Sequence, residues 1–239
     1  MWSVVALLML LTSVMAPDAA ANLTGTVLTS PGDTVVPGLV VSGTAPGTLL
    51  ASLAVPYTTT LGSPAGTIYS AVYREAGGTL DFYYQVTNLD TSKCGGPGQI
   101  LCDPVARETD VSFFGFATSV GFRLDGGSFG GPFVAGTVTP VTGDRNSVGD
   151  VVGFSFNPPD SSKIQPGQVS SVLIISTNAT NFTTGDVSLI DGGTNTVASF
   201  EPTCPPGGCA PPTPEPSSLL LLGTGFLGAA VALRRKLLG

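Results

Sequence analysis

Between about residues 34 and 200, short runs rich in Val, Thr, Phe, Tyr and Ile alternate with clusters of Gly, Pro, Asn and Asp. Almost no segment there repeats its apolar positions at helical spacing, so the pattern is that of an all-β chain. It predicts strands at 34–41, 48–55, 66–73, 78–88, 109–124, 132–141, 150–157, 168–177, 186–190 and 194–200. The 109–124 stretch is long for one strand and contains Gly115 and Gly121, so a bend or bulge is expected inside it.

The clearest local unit is the hairpin 66–88. Leu80, Phe82, Tyr84 and Val86 alternate with Thr79, Asp81, Tyr83 and Gln85, the pattern of a strand with one buried face. A four-residue turn, Arg74 to Gly77, sets Tyr69 opposite Phe82 and Ala71 opposite Leu80, which makes most of the tyrosines core. Asp191, Gly192 and Gly193 mark a second hairpin. The run 169–177 has apolar residues on both parities, which suits a central strand covered on two sides. These strands predict a single Greek-key or jelly-roll-like β-sandwich over residues 22–200, with an incomplete barrel as the rival. Segment 22–33, rich in Thr, Gly and Ser, reads as a loosely held start.

The two ends have a different character. Residues 4–16 form an apolar stretch of signal-peptide length, and Ala19 to Ala21 supply the small residues a signal peptidase requires. A signal peptide over 1–21, cut after Ala21, is expected, although no Lys or Arg precedes the apolar stretch. From Glu201 to Pro216 there are seven prolines in sixteen residues, a stiff extended linker. Ser217 to Leu233 follows without a charge, 17 residues that reach about 25 Å as a helix and lie at the short end of a bilayer span. Arg234, Arg235 and Lys236 then hold the basic end on the cytoplasmic side, with the body across the membrane.

Pro214-Glu215-Pro216, the apolar run with its Gly and Ala residues, and the basic cluster occur in that order over about residues 213–236. The tail resembles the PEP-CTERM sorting signal of exported bacterial proteins. That resemblance implies recognition by an exosortase-like membrane protease, with cutting near Pro214, Glu215 and Pro216 and with Arg234, Arg235 and Lys236 setting topology. It divides the chain into a signal peptide (1–21), a β-sandwich (22–200), a linker (201–213) and a sorting signal (214–236) with its transmembrane helix at 217–233.

Cysteine usage agrees with export. Cys94 and Cys102 bracket a Gly/Pro-rich stretch, and Cys204 and Cys209 bracket two prolines and two glycines. Two local disulfides are expected, each contributing about 2–3 kcal/mol. The rival is a four-thiolate zinc site, which the spacing of the pairs disfavours.

Composition then narrows the functional classes. Charged residues are 10% of the chain and glycine reaches 32 residues, unlike a charge-rich disordered chain. Residues 22–213 hold 14 acidic and 6 basic side chains, a net charge of −8, so no basic surface for nucleic acid is expected. There is no histidine, which removes the commonest general base and metal ligand. The single tryptophan, Trp2, lies in the signal peptide.

Candidate chemistry is correspondingly thin. Asp144, Asn146 and Asp150 share a loop with oxygen ligands suited to calcium, but the spacing departs from an EF-type loop and an Asx turn is preferred. A glycosidase needs two carboxyls flanking a cleft, and Glu75, Glu108 and Glu201 offer no obvious pair. Ser-Lys chemistry would need Lys93 or Lys163, neither in a recognisable motif. Asn22, Asn178 and Asn181 match the glycosylation pattern by chance in a Thr-rich chain. The expectation is an exported, non-enzymatic surface or matrix protein with no catalytic residue, metal or cofactor. Its partners are a signal peptidase, an exosortase-like protease, transiently the inner membrane, and extracellular polysaccharide. The rivals are a carbohydrate- or ligand-binding module using exposed Tyr83 and loop aspartates, and a secreted hydrolase.

Overall fold

The computed structural model describes residues 25–58, 64–88, 104–126, 129–190 and 194–204. The expected signal peptide with Ala19 and Ala21, Cys94, Cys102, Cys209, and the tail from Pro214 to Lys236 lie outside these residues. Among the described residues no helix is long and apolar enough to cross a membrane.

The fold is all-β, with one 3-10 turn among the described residues, at Asp160–Ser162. The first sheet runs, in spatial order, β1 (Thr26–Leu28), β8 (Thr118–Arg123), β11 (Val172–Thr177), β6 (Leu80–Asn88), β5 (Pro64–Arg74) and β4 (Thr48–Thr58). Strand β3 (Gly38–Leu39) joins it parallel to β8. The second sheet runs β13 (Thr194–Thr203), β12 (Asn181–Ile190), β7 (Arg107–Asp110), β10 (Val152–Ser155), β9 (Thr142–Arg145) and β2 (Thr34–Val35). The other strand pairs are antiparallel.

Register explains the core between the sheets. In the first sheet Val72, Phe82, Ile175 and Val120 form one cross-strand row, and Ser70, Tyr84, Leu173 and Phe122 the next. Val152, Phe154, Val187 and Leu189 face them from the second sheet and make one buried cluster with Val72, Phe82, Tyr84, Val120, Leu173 and Ile175, while Phe122 is half-buried. Full burial of each such side chain contributes about 1.5–3 kcal/mol.

Several expected elements differ, each for a local reason. The hairpin turn is Glu75 to Thr79, closed by Glu75 N–H to Thr79 O at 2.9 Å and Gly78 N–H to Glu75 O at 2.9 Å. Phe82 therefore faces Val72 instead of Tyr69, and Leu80 faces Arg74 instead of Ala71. The 109–124 stretch is not one strand. It breaks after Asp110, turns through Ser112 (φ 70°) and Gly115 (φ 82°), and re-enters the opposite sheet as β8. The 132–141 stretch forms no strand; its one bridge is a parallel one, Val138 to Ser170, and it lies against the sheets through contacts such as Val141 N–H to Ser155 O at 2.7 Å. The loosely held start contains β1, paired with β8. Polar β9 was not anticipated, and β13 runs through Thr203, past the expected end of the domain at 200.

The central strands of the first sheet are buried on both faces, as the 169–177 pattern predicts: every residue of β11 is buried. The outer face carries a second cluster that includes Val40, Ala71, Tyr73, Tyr83, Phe133 and Ile174. Tyr73 and Tyr83 ring centroids lie 4.8 Å apart. Segments 40–47, 124–126 and 129–136 form the cover, fastened by two polar clamps. Arg123 Nε donates to Asp125 Oδ1 at 2.7 Å and Nη1 to Thr44 O at 3.0 Å, with the guanidinium 5.1 Å from the Phe129 ring centre. Gln85 Nε2 donates to Val134 O (2.7 Å) and Ser170 O (2.9 Å), while its Oε1 accepts from Val134 N–H (3.0 Å).

Gln85→Ala removes three hydrogen bonds from a buried site, and chemical denaturation should show a loss of about 2–4 kcal/mol. Ser52→Ala, on the exposed face of β4, should change stability by less than about 0.5 kcal/mol.

Candidate functional site

The loop of Asp144, Asn146 and Asp150 folds as an Asx turn. Asn146 Oδ1 accepts from the backbone N–H groups of Gly149 (2.7 Å), Asp150 (2.8 Å) and Val151 (3.2 Å). Asp144 points elsewhere: its Oδ1 accepts from Arg107 Nη2 at 2.7 Å in a two-pronged ion pair. The three candidate oxygen ligands therefore do not converge. No group of three or more Cys, Asp or Glu side chains able to hold a metal occurs among the described residues.

Tyr83 is 3% exposed, packed against Tyr73 and Phe133 under the outer cover. Burial pushes its hydroxyl pKa up, with Asp81 adding to the effect. A binding face built on exposed Tyr83 is thereby overturned. The parity that assigned it to solvent assumed one covered face, whereas β6 has two. Cys204 is disulfide-bonded, so it is not a thiolate ligand for zinc; its partner lies outside the described residues.

The acidic residues are arranged in a way the motif search missed. Glu75 sits at the hairpin tip, where its Oε2 accepts from Thr79 Oγ1 at 3.4 Å. Glu201 Oε2 accepts from Ser112 Oγ at 2.7 Å. Glu108 instead pairs with Asp110, two positions along β7. Both face inward, and they are 0% and 1% exposed. Glu108 lies in the row of Phe154 and Leu189, Asp110 in the row of Val152 and Val187. The visible signal was the alternation of Glu108 and Asp110 itself, because residues two apart on a strand share a face.

Within the described structure no group outside the pair donates to any of the four carboxyl oxygens at hydrogen-bond geometry. Tyr84 lies beside Asp110 but gives its proton to Phe200 O at 3.1 Å. Two carboxylates cannot both be charged there. Burial first, and then the neighbouring Glu108 charge, hold the Asp110 carboxyl far above the usual range. Burial pushes Glu108 up to about 7, partly offset by the hydrogen bond from Asp110 and by Arg107. The pair thus shares a proton inside the core. Sealed between the sheets, it has no route for a substrate, unlike two carboxyls flanking a cleft.

The pair makes stability depend on pH with an unusual sign. A carboxyl whose folded pKa exceeds its unfolded value of about 4.3 stabilises the fold fully at acid pH. That contribution is lost as pH rises through about 7. Asp81, raised by burial and by Glu75, adds in the same direction, and the chain has no histidine to oppose it. The unfolding midpoint should fall between about pH 5 and about pH 8. Glu108→Gln with Asp110→Asn should remove most of that slope, and Asp81→Asn the remainder. A double variant with the parent's slope would overturn the assignment.

Comparison with known proteins bears on the tail alone. No curated protein and no solved structure matches the chain. Residues 212–236 match the family model for the PEP-CTERM protein-sorting motif. This match begins beyond the last strand and contains the Pro-Glu-Pro triplet, the apolar run and the basic cluster. The C-terminal tail of this chain is a PEP-CTERM protein-sorting motif, the feature by which an exported protein is directed to an exosortase.

Proposed function

We propose that the chain is exported as a membrane-held precursor, cut near Pro214–Pro216, and released as a non-enzymatic component of the cell surface or extracellular polysaccharide matrix. The observation that carries this reading is the sorting motif at 212–236. In this reading residues 1–21 are a signal peptide cut after Ala21, and 217–233 form the transmembrane helix. Arg234, Arg235 and Lys236 stay on the cytoplasmic side. The linker after Thr203 holds the triplet away from the folded body, in an extended form a protease can engage. Disulfides within the pairs Cys94–Cys102 and Cys204–Cys209 suit an oxidising compartment. The chain crosses between the sheets at β1–β2, β2–β3, β6–β7, β7–β8, β8–β9, β10–β11 and β11–β12, which we read as jelly-roll-like connectivity.

Mass spectrometry of the protein from its native host tests the processing. The mature form should begin at Asn22 and end in or near the linker, and Glu215→Ala should leave the tail attached. Material intact through Gly239 would sink tail removal and leave a plain anchor. Peptide mapping without reductant should link Cys204 to Cys209 and Cys94 to Cys102; free thiols at Cys94, Cys102 and Cys209 would refute the pairing. Activity over a broad glycoside and ester panel should stay flat.

A further inference from the structure

One end of the sandwich gathers three loops: the β1–β2 turn, the β7–β8 crossover and the β9–β10 hairpin. Between them lies an open pocket of about 460 Å³, walled by Pro31, Phe114, Phe116 and Val148, with Arg145 at its base. Arg145 is 7% exposed. Its Nε donates to Gly149 O at 2.9 Å and its Nη2 to Phe113 O at 2.6 Å. Among the described residues no group accepts from Nη1, and no carboxylate lies within ion-pair distance. The other two inward or half-buried arginines of the body, Arg107 and Arg123, each have an aspartate.

A nearly buried guanidinium whose hydrogen bonds go only to neutral carbonyls, with the Asp150 carboxylate acting on it from beyond ion-pair distance, is costly unless an anion completes it. The walls exclude a fully hydrated inorganic ion as the best fit, because they offer ring faces and aliphatic carbon instead of further donors. The loops that aim the guanidinium are preformed. Asn146 ties three successive N–H groups, and Gly32 N–H donates to Arg145 O at 3.0 Å. Gly149 (φ 82°) keeps the backbone beside Arg145, where a Cβ would stand 3.4 Å from Nε and 3.1 Å from the Pro31 ring. Preorganisation of this kind lowers the ordering cost of binding.

We infer that this pocket binds a carboxylate carried on a ring-shaped or apolar body, with the carboxylate on Arg145 and the body against Phe114 and Val148. Two sources share that chemistry: an acidic sugar unit of a polysaccharide, and a free organic acid. The inference uses only the folded body and is independent of how the tail is processed.

Calorimetric titration of the exported protein with oligogalacturonate, its methyl ester and benzoate tests it. Binding should require the free carboxylate, so esterification should weaken it by about tenfold or more, and added salt should weaken it too. Arg145→Ala also removes two structural hydrogen bonds, so Val148→Asp is the cleaner variant. Val148 is 63% exposed and lines the pocket together with Arg145, so an aspartate there adds a negative charge to the pocket wall and should weaken binding by about tenfold or more. Binding of oligogalacturonate with these properties identifies the polysaccharide source, and binding of benzoate alone identifies the free acid. Equal binding of ester and acid, an unaffected Val148→Asp variant, or no binding of either carboxylate would overturn the proposal.

Discussion

Strands β6 and β11 bury side chains on both of their faces, and the rest of the body is arranged around that requirement. A sheet apolar on one side is satisfied by a single partner sheet. Here the inner side meets the second sheet while the outer side needs its own cover, and among the described residues no third sheet supplies it. Irregular chain does so, from segments 40–47, 124–126 and 129–136. Such chain brings backbone groups that must be satisfied when buried. Gln85 answers this by presenting an amide to Val134 in the manner of a neighbouring strand. Arg123 does the same for Thr44 while its charge is met by Asp125.

The doubled cover also shows why part of the fold was legible in the sequence and part was not. Periodicity located β5, β6, β11, β12 and β13 because each has apolar residues in number and a turn signal beside it. It correctly set Leu80, Phe82, Tyr84 and Val86 in the core. It misjudged Tyr83 and Gln85, since alternation describes what one face looks like and is silent about a loop returning over the other. Polar β9 carries no pattern of its own and exists through its pairing with β10 and β2. The reverse error is the 132–141 stretch. Its apolar Phe133 looked like a strand residue but serves the cover as a side chain.

For the candidate sites the limit was different in kind. The tail was readable because its order of elements is local and needs no fold to interpret. Glu108 and Asp110 were present in the inventory of acids, yet a pair becomes a pair only when the facing sheet closes over it. Arg145 stands in the same loop as Asp144 and Asn146. That no carboxylate comes within ion-pair distance of it, Asp150 acting only from farther off, is a property of the surrounding backbone, which composition does not encode.

Arg145 and Asp110 share one row. Arg145, Val152 and Asp110 are cross-strand neighbours on successive strands β9, β10 and β7, all inward. Two strand spacings, about 10 Å, separate the backbones of Arg145 and Asp110, a gap a long guanidinium side chain can cross. It does not, because Phe113 O and Gly149 O hold it toward the loops and buried Val152 occupies the gap. Had the two met, both anomalies would vanish: the acidic pair would lose its proton and the pocket its cation. Keeping them apart has two consequences that stand or fall together. Asp110 must share a proton with Glu108, so the core is most secure in acid. Arg145 is left to be completed from outside, so the loop end of the sandwich has reason to hold an anion that the rest of this acidic surface repels.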